Sequence, residues 1–533
     1  MTPLIAPSRP LRLTAGVGLA LGIAGLVALV LWSILTAATG GAGTSAPRPD
    51  IAHLLRMTAI QAGLTTVLSL LVGTALAWAL NRLRFLGRGL VVALFASAIV
   101  TPGMVVAFGL LTVWGRAGWI NEASRALFGF PLDVPLFGLG GILAAHVILD
   151  AAFAARILLA RLDSIPTARL KTGQSLGLTA FQRFAIIDWP ALRGTMPGLA
   201  AIIFLLAFTS FPIVLLLGGG PANQTLEVAI YTAVRLDFNL TGAVQLALTQ
   251  IAICSVVILL AAAAAPIPSS LGPSGGQLWA DRIGARTIQW MILAVASLAF
   301  ALPLIAVLVG GVGPGLAALV GKASFWSATV TSLVIGASSA VLTLVLALGL
   351  AMARAASGNR LLRIGVGLPA YAYLAVPAVV LALGFFLLTR NLGIRSDVAA
   401  PFVVVLGNGL LALPFAIATL APPLDAIAQR QGKLIRALGL SGWRQFALIE
   451  WPLLGRDIGV VLALSFCFSL GDLGVISLFG TQDFATLPLL MQRALGAYRS
   501  NDAATIAALM LILTVIAFAA LPKLFERLAD ARA

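Results

Sequence analysis

The chain has 533 residues with a formal net charge of +16; 60% of the residues are hydrophobic and only 10% are charged. Soluble domains carry about 25% charged residues, so this composition excludes a soluble globular fold and requires an integral membrane protein. The positive balance does not point to nucleic acid, because the Lys and Arg residues are dispersed between apolar runs instead of clustering on a polar domain.

The first apolar run, Leu13 to Leu35, exceeds the roughly 20 residues that a helix needs to cross the hydrocarbon core. It follows Arg9 and Arg12 but is longer than the core of a cleaved signal, so it reads as an uncleaved first span. These runs are apolar on every face, which fits helices and not the alternating strands of a barrel. Twelve spans are predicted, near 13–36, 58–80, 89–113, 138–160, 198–217, 240–264, 289–310, 327–353, 364–388, 401–421, 457–479 and 504–521. With the N-terminus inside, 23 Lys and Arg fall on the inner side and 10 outside, Arg156 lying within the fourth span; both termini are expected in the cytoplasm. Cys254 and Cys467 are isolated in apolar runs and read as packing residues.

The Pro-, Gly- and Ser-rich stretch from Pro266 to Gln277 divides the spans into two sets of six. The expected organisation is a first half over 1–264, a cytoplasmic linker over 265–288 and a second half over 289–533. The halves resemble each other. "GLTAFQRFAIIDWPAL" from Gly177 recurs as "GLSGWRQFALIEWPLL" from Gly439, an offset of 262 residues; "LDSI" at Leu162 recurs as "LDAI" at Leu424, and Pro102 and Gly109 match Pro377 and Gly384. Six spans per half make the repeats parallel, so the predicted fold class is an all-α integral membrane protein of about twelve transmembrane helices in two parallel six-helix repeats.

Both motif copies fall in the inner loop between the fourth and fifth spans of their half, 161–196 and 422–456. Leu178, Phe181 and Phe184, then Leu440, Trp443 and Phe446, recur every three residues and predict an apolar side on a short helix. Arg183 and Arg444 belong to the polar side, with Phe184 and Phe446 expected as projecting knobs. Gly177 and Gly439 permit a sharp turn, while Pro190 and Pro452 limit the helix. Such a helix suits the groove of a soluble partner or a membrane interface.

These loops resemble the EAA loop of bacterial ATP-binding-cassette (ABC) importer permeases. Gly177, Ile187 and Pro190, and Gly439, Ile449 and Pro452, match its Gly, Ile and Pro spacing, whereas Lys171-Thr172-Gly173 and Lys433-Leu434-Ile435 stand where Glu-Ala-Ala belongs. The resemblance implies that each loop docks on one subunit of an ATPase dimer, which binds the ATP and Mg. The stretches "AFGLLTVWGRAGWI" from Ala107, "LGGGPANQTLEVAIYTA" from Leu217 and "SLGDLGVISLFGTQDFATLPL" from Ser469 are similar to the fused thiamine permeases of that family. Import of thiamine or its phosphate esters from a periplasmic binding protein is therefore implied. Fused ferric-iron permeases share the layout and are the alternative substrate class.

The chain lacks a phosphate-cradling loop of its own, since "GLAALVGKAS" from Gly315 has the wrong Gly spacing. It shows no nucleophile beside a base and no metal-ligand cluster, so no catalytic or metal residue, and no cofactor, is expected. "WADRIGAR" from Trp279 is similar to the loop motif of major facilitator transporters, a secondary-transport class that is the further alternative by architecture, but it lies in the linker, outside that motif's usual place. Acids inside apolar runs are costly, which singles out Asp150 and Asp472. His146 aligns with Asn408 and Ser210 with Asp472 at the 262 offset. These five residues either line a pathway or make interhelical hydrogen bonds; Arg156 is a candidate partner for Asp150.

Overall fold

The computed structural model describes residues 9–40, 49–263, 279, 281–313, 315–373 and 375–531. Every regular element among them is a helix. The principal ones are α1 (Arg9–Gly40), α2 (Ile51–Arg82), α3 (Gly103–Trp114), α4 (Leu139–Asp163), α5 (Met196–Phe208), α6 (Leu240–Ala263), α7 (Ile283–Gly311), α8 (Ala323–Ala356), α9 (Ala378–Asn391), α10 (Ser396–Ala437), α11 (Trp451–Gly471) and α12 (Ser500–Asp530). The Pro- and Gly-rich part of the expected linker lies outside the described residues.

Ten helices among the described residues are long and apolar enough to cross a membrane, or eleven if Ala180–Leu192 and α5, bent by 67°, form one span. The chain is thus an all-α, multi-pass membrane protein. The two expected spans that do not qualify singly are the fifth, which belongs to that bent pair, and the ninth, which is divided. The third and eleventh also contain breaks, although Gly103–Phe128 and Gly442–Gly471 are each long and apolar enough to cross. The third expected span divides into Arg88–Ala96 and α3 at Pro102, and the ninth into Arg360–Ala372 and α9 at Pro377. Proline disfavours the helical conformation in the residue before it and has no N–H to donate, so each break falls at the matched proline. The eleventh opens at Asp472, between α11 and the short helix Gly474–Phe479.

The chain packs as two compact units. One comprises Met1–Pro49, Ile230–Ile251 and Leu316–Ala533, the other Asp50–Ala229 and Ala252–Gly315. The sequence halves and the compact units are therefore different divisions: α1 packs with the second-half helices and α7 with the first-half helices. The matched glycines make room for them. A Cβ on Gly109 would stand 2.5 Å from the Pro303 carbonyl oxygen of α7, and one on Gly384 would stand 2.3 Å from Val30 Cγ1 of α1. A second matched contact closes each unit: the Leu226 N–H donates to Thr58 Oγ1 at 3.0 Å, and the Leu487 N–H to Ser332 Oγ at 2.7 Å.

Candidate functional site

In the first loop a helix over Thr167–Ser175 ends at Gly177, whose φ of +64° is the left-handed conformation that glycine adopts without a Cβ penalty. Thr179 and Gln182 then form a capping box that starts Ala180–Arg183. In the second loop α10 runs unbroken to Ala437, Gly439 turns at φ +61°, and the chain restarts at Gly442–Gln445.

Both copies continue into a π-helical turn, Phe184–Asp188 and Phe446–Glu450, before Trp189 and Trp451. The helix does end soon after Pro190, at Leu192, but it runs on past Pro452 to Gly471, which corrects the expectation that Pro452 limits it. The N–H of each Trp bonds the carbonyl five residues back, and the wide turn admits a proline at the second position of the following helical segment.

The wide turn also moves the knobs. Phe184 is half-buried beside Trp189, and Phe446 is half-buried with ring centroids 5.3 Å from Trp443 and 6.2 Å from Trp451. The projecting aromatics are Phe181 and Trp443, 80% and 73% exposed. Each is flanked by two exposed aliphatics five residues away, Leu176 and Ile186 in the first copy, Leu438 and Leu448 in the second. The three pairs match at the 262 offset, so the copies present the same apolar triplet. Phe181 and Phe184 also border an apolar groove with Leu71, Trp78 and Ile288.

Arg183 departs from its expected place on the outward polar side. It is buried, donates to the Trp279 carbonyl at 2.9 Å and stacks 4.2 Å above the Trp279 ring. Its guanidinium lies 3.8 Å from Asp281, which also faces Arg82 at 3.7 Å; Arg82 is hydrogen-bonded to Asp188. Burial raises the Asp188 carboxyl to about 6, opposed by the charge of Arg82. Arg444 stays exposed. In the second copy Glu450 receives Arg12 through both oxygens, at 2.6 and 3.1 Å, and Gln445 donates to it at 2.7 Å. Ile187 is buried; Ile449, Pro190 and Pro452 are half-buried.

Of the five expected pathway residues, His146 and Asp150 come together on α4, with Nδ1 3.7 Å from Oδ2, while Arg156, further along the same helix, is exposed. Asn408 donates to Ser469 at 2.8 Å, and Ser469 reaches Ser339 at 3.5 Å. Asp472 is half-buried and accepts from the N–H groups of Gly474 and Val475 at 3.1 and 3.0 Å, capping the helix beyond the break. Ser210 is buried at the corresponding break after α5. Sequence reasoning missed Gln61, Thr65 and Ser69, buried at every fourth position along α2, and Ser339 and Thr343 on α8. Their signal was polar residues at helical spacing inside apolar spans. It also left the acids before Trp-Pro without a role.

No family model matches the chain. It is 37% identical over 504 residues, 93% of this chain and 92% of the relative, to the thiamine transport system permease protein ThiP of Brucella melitensis. The ThiP of Salmonella typhimurium is 36% identical over 93% of both chains. A shorter stretch of 176 residues, 33% of this chain and 76% of the relative, is 30% identical to the molybdenum transport system permease protein ModB of Azotobacter vinelandii.

Proposed function

Because the chain belongs to the family of thiamine transport system permease proteins, we propose that it is the fused transmembrane subunit of an ABC importer that carries thiamine or its phosphate esters across the bacterial inner membrane. A periplasmic binding protein delivers the substrate, and a separate ATPase dimer holds ATP and Mg. The inner-side excess of Lys and Arg supports cytoplasmic termini and cytoplasmic loops.

The observation that carries the coupling reading is the pair of matched apolar triplets, Leu176–Phe181–Ile186 and Leu438–Trp443–Leu448. Each stands exposed on a loop that left-handed Gly177 or Gly439 turns outward. Two like subunits of an ATPase dimer each require one such knob. Burial of these side chains in a partner groove is favourable by about 1.5–3 kcal/mol for each one fully covered. Movement of the ATPase dimer is then passed through the loops into rigid-body motion of the membrane helices. His146 with Asn408, and Ser210 with Asp472, are assigned to the pathway because polar groups stand at matched positions inside otherwise apolar spans, and Asp150 joins them through its contact with His146.

The test of substrate is a deletion strain complemented with the gene. Loss of labelled thiamine uptake on deletion, with ferric-iron uptake unchanged, is the expected result. Normal thiamine uptake with lost iron uptake would replace the thiamine assignment by the ferric-iron one.

A further inference from the structure

In both loops the residue immediately before Trp-Pro is an acid, and both acids end on an arginine of a membrane helix. Glu450 takes both guanidinium nitrogens of Arg12, three residues into α1, and Arg12 also reaches the Gly442 carbonyl at 3.5 Å. Asp188 bonds Arg82, the last residue of α2; Arg82 and Arg183 then share Asp281, two residues before α7, and Gln289 of α7 donates to Asp281 at 2.6 Å. Each loop is thereby tied to the start of a helix that belongs, in sequence, to the opposite half. The two ties have opposite polarity. The first loop offers a cation, Arg183, to the anion before α7, and the second offers an anion, Glu450, to the cation in α1.

Geometry makes these ties suited to carrying displacement. From Phe181 to Asp188, and from Trp443 to Glu450, the chain is continuously helical, so knob and carboxylate are about 10 Å apart on one stiff rod. A bidentate guanidinium–carboxylate pair is short and directional and resists both pulling and sliding. Glu450, Asp188, Arg82, Arg183 and Asp281 are all buried, where breaking a pair leaves an uncompensated charge. A loop held only by apolar contacts would be free to slip.

We propose that Glu450–Arg12 and the Asp188–Arg82–Asp281–Arg183 cluster are the transmission joints through which each loop moves α1 or α7 together with its own half. The proposal rests on the loops being ATPase couplers. These are positioning residues, since none touches substrate or nucleotide.

The test uses the full permease reconstituted with its ATPase and binding protein, comparing Arg12→Glu, Glu450→Arg, the double reversal and the milder Glu450→Gln. Co-purification of the ATPase, ATP hydrolysis without substrate, hydrolysis with thiamine-loaded binding protein and thiamine uptake are measured. The expected result is unchanged co-purification and substrate-free hydrolysis. Substrate-stimulated hydrolysis and uptake fall by at least about fivefold in each single reversal, with substantial recovery in the double. Glu450→Gln, which keeps the shape and one acceptor, falls between. Wild-type stimulation in the single reversals overturns the proposal. So does loss of the ATPase from the singles with its return in the double, which would make the tie a support for the docking face alone. If the reversals do not reach the membrane, normal stimulation in Glu450→Gln overturns it. Failure of the coupler reading itself is distinguishable, because there Phe181→Asp combined with Trp443→Asp would leave ATPase assembly intact.

Discussion

Asp188 bonds Arg82, which shares Asp281 with Arg183, so its removal disturbs a connected cluster and not an isolated pair. Asp188→Ala leaves Arg82 and Arg183 buried against Asp281 alone, at an expected cost of about 3–5 kcal/mol. The thermal unfolding midpoint of the detergent-solubilised permease should fall clearly; an unchanged midpoint would mean that the cluster is not a closed charge network. The sequence showed an acid before Trp-Pro in both copies but not its partner, because Arg82 and Arg12 lie 106 and 438 residues away. The same limit applies to Arg183. A three-residue period set it on the outward side with Gln182, whereas the ring of Trp279 and the carboxylate of Asp281 draw it inward. Phe184 and Phe446 moved for a local reason. The π-helical turn adds a residue to the winding and places them against the following Trp, leaving the outward position to Phe181 and Trp443.

At the scale of elements, the apolar runs located nearly all the long helices, since twenty apolar residues in lipid have few alternatives to a helix. The breaks were less legible. Pro102 and Pro377 were visible as matched residues, but proline lies inside α7 and α10 without ending them, so proline alone does not specify a break. The packing of α7 and α1 leads to an ordering of two substitutions. Gly109→Ala meets a backbone carbonyl, whereas the nearest atom to a Gly384→Ala methyl is a side-chain methyl of Val30, which moves at less cost than backbone. Both should destabilise, Gly109→Ala by the larger amount within the range of about 1–3 kcal/mol for overpacking. Equal or reversed shifts in unfolding midpoint would contradict the Gly109 contact.

Asp472 provides a second element-scale prediction. Asp472→Asn retains one side-chain oxygen for the cap of Gly474–Phe479, while Asp472→Ala retains none and should lose about 1 kcal/mol. If the charge serves the pathway, Asp472→Asn reaches the membrane at normal levels and takes up less thiamine. Normal uptake would leave Asp472 a helix cap only.

For the whole molecule, two sequence halves become two packed units that exchange their first helices, and no pattern within either half announces that exchange. Each loop, tied to its own half and to the start of the exchanged helix, becomes the natural place to drive both. The measurement that tests this most directly is substrate-stimulated ATP hydrolysis, with co-purification of the ATPase, for the Phe181→Asp, Trp443→Asp double variant. A buried carboxylate without a partner is strongly unfavourable, and the same change on a free surface costs little. The account predicts a permease that is still inserted but has lost ATPase assembly and stimulation, with each single change less severe. Unchanged assembly and stimulation in the double variant would contradict it and leave the loops as interfacial helices on lipid.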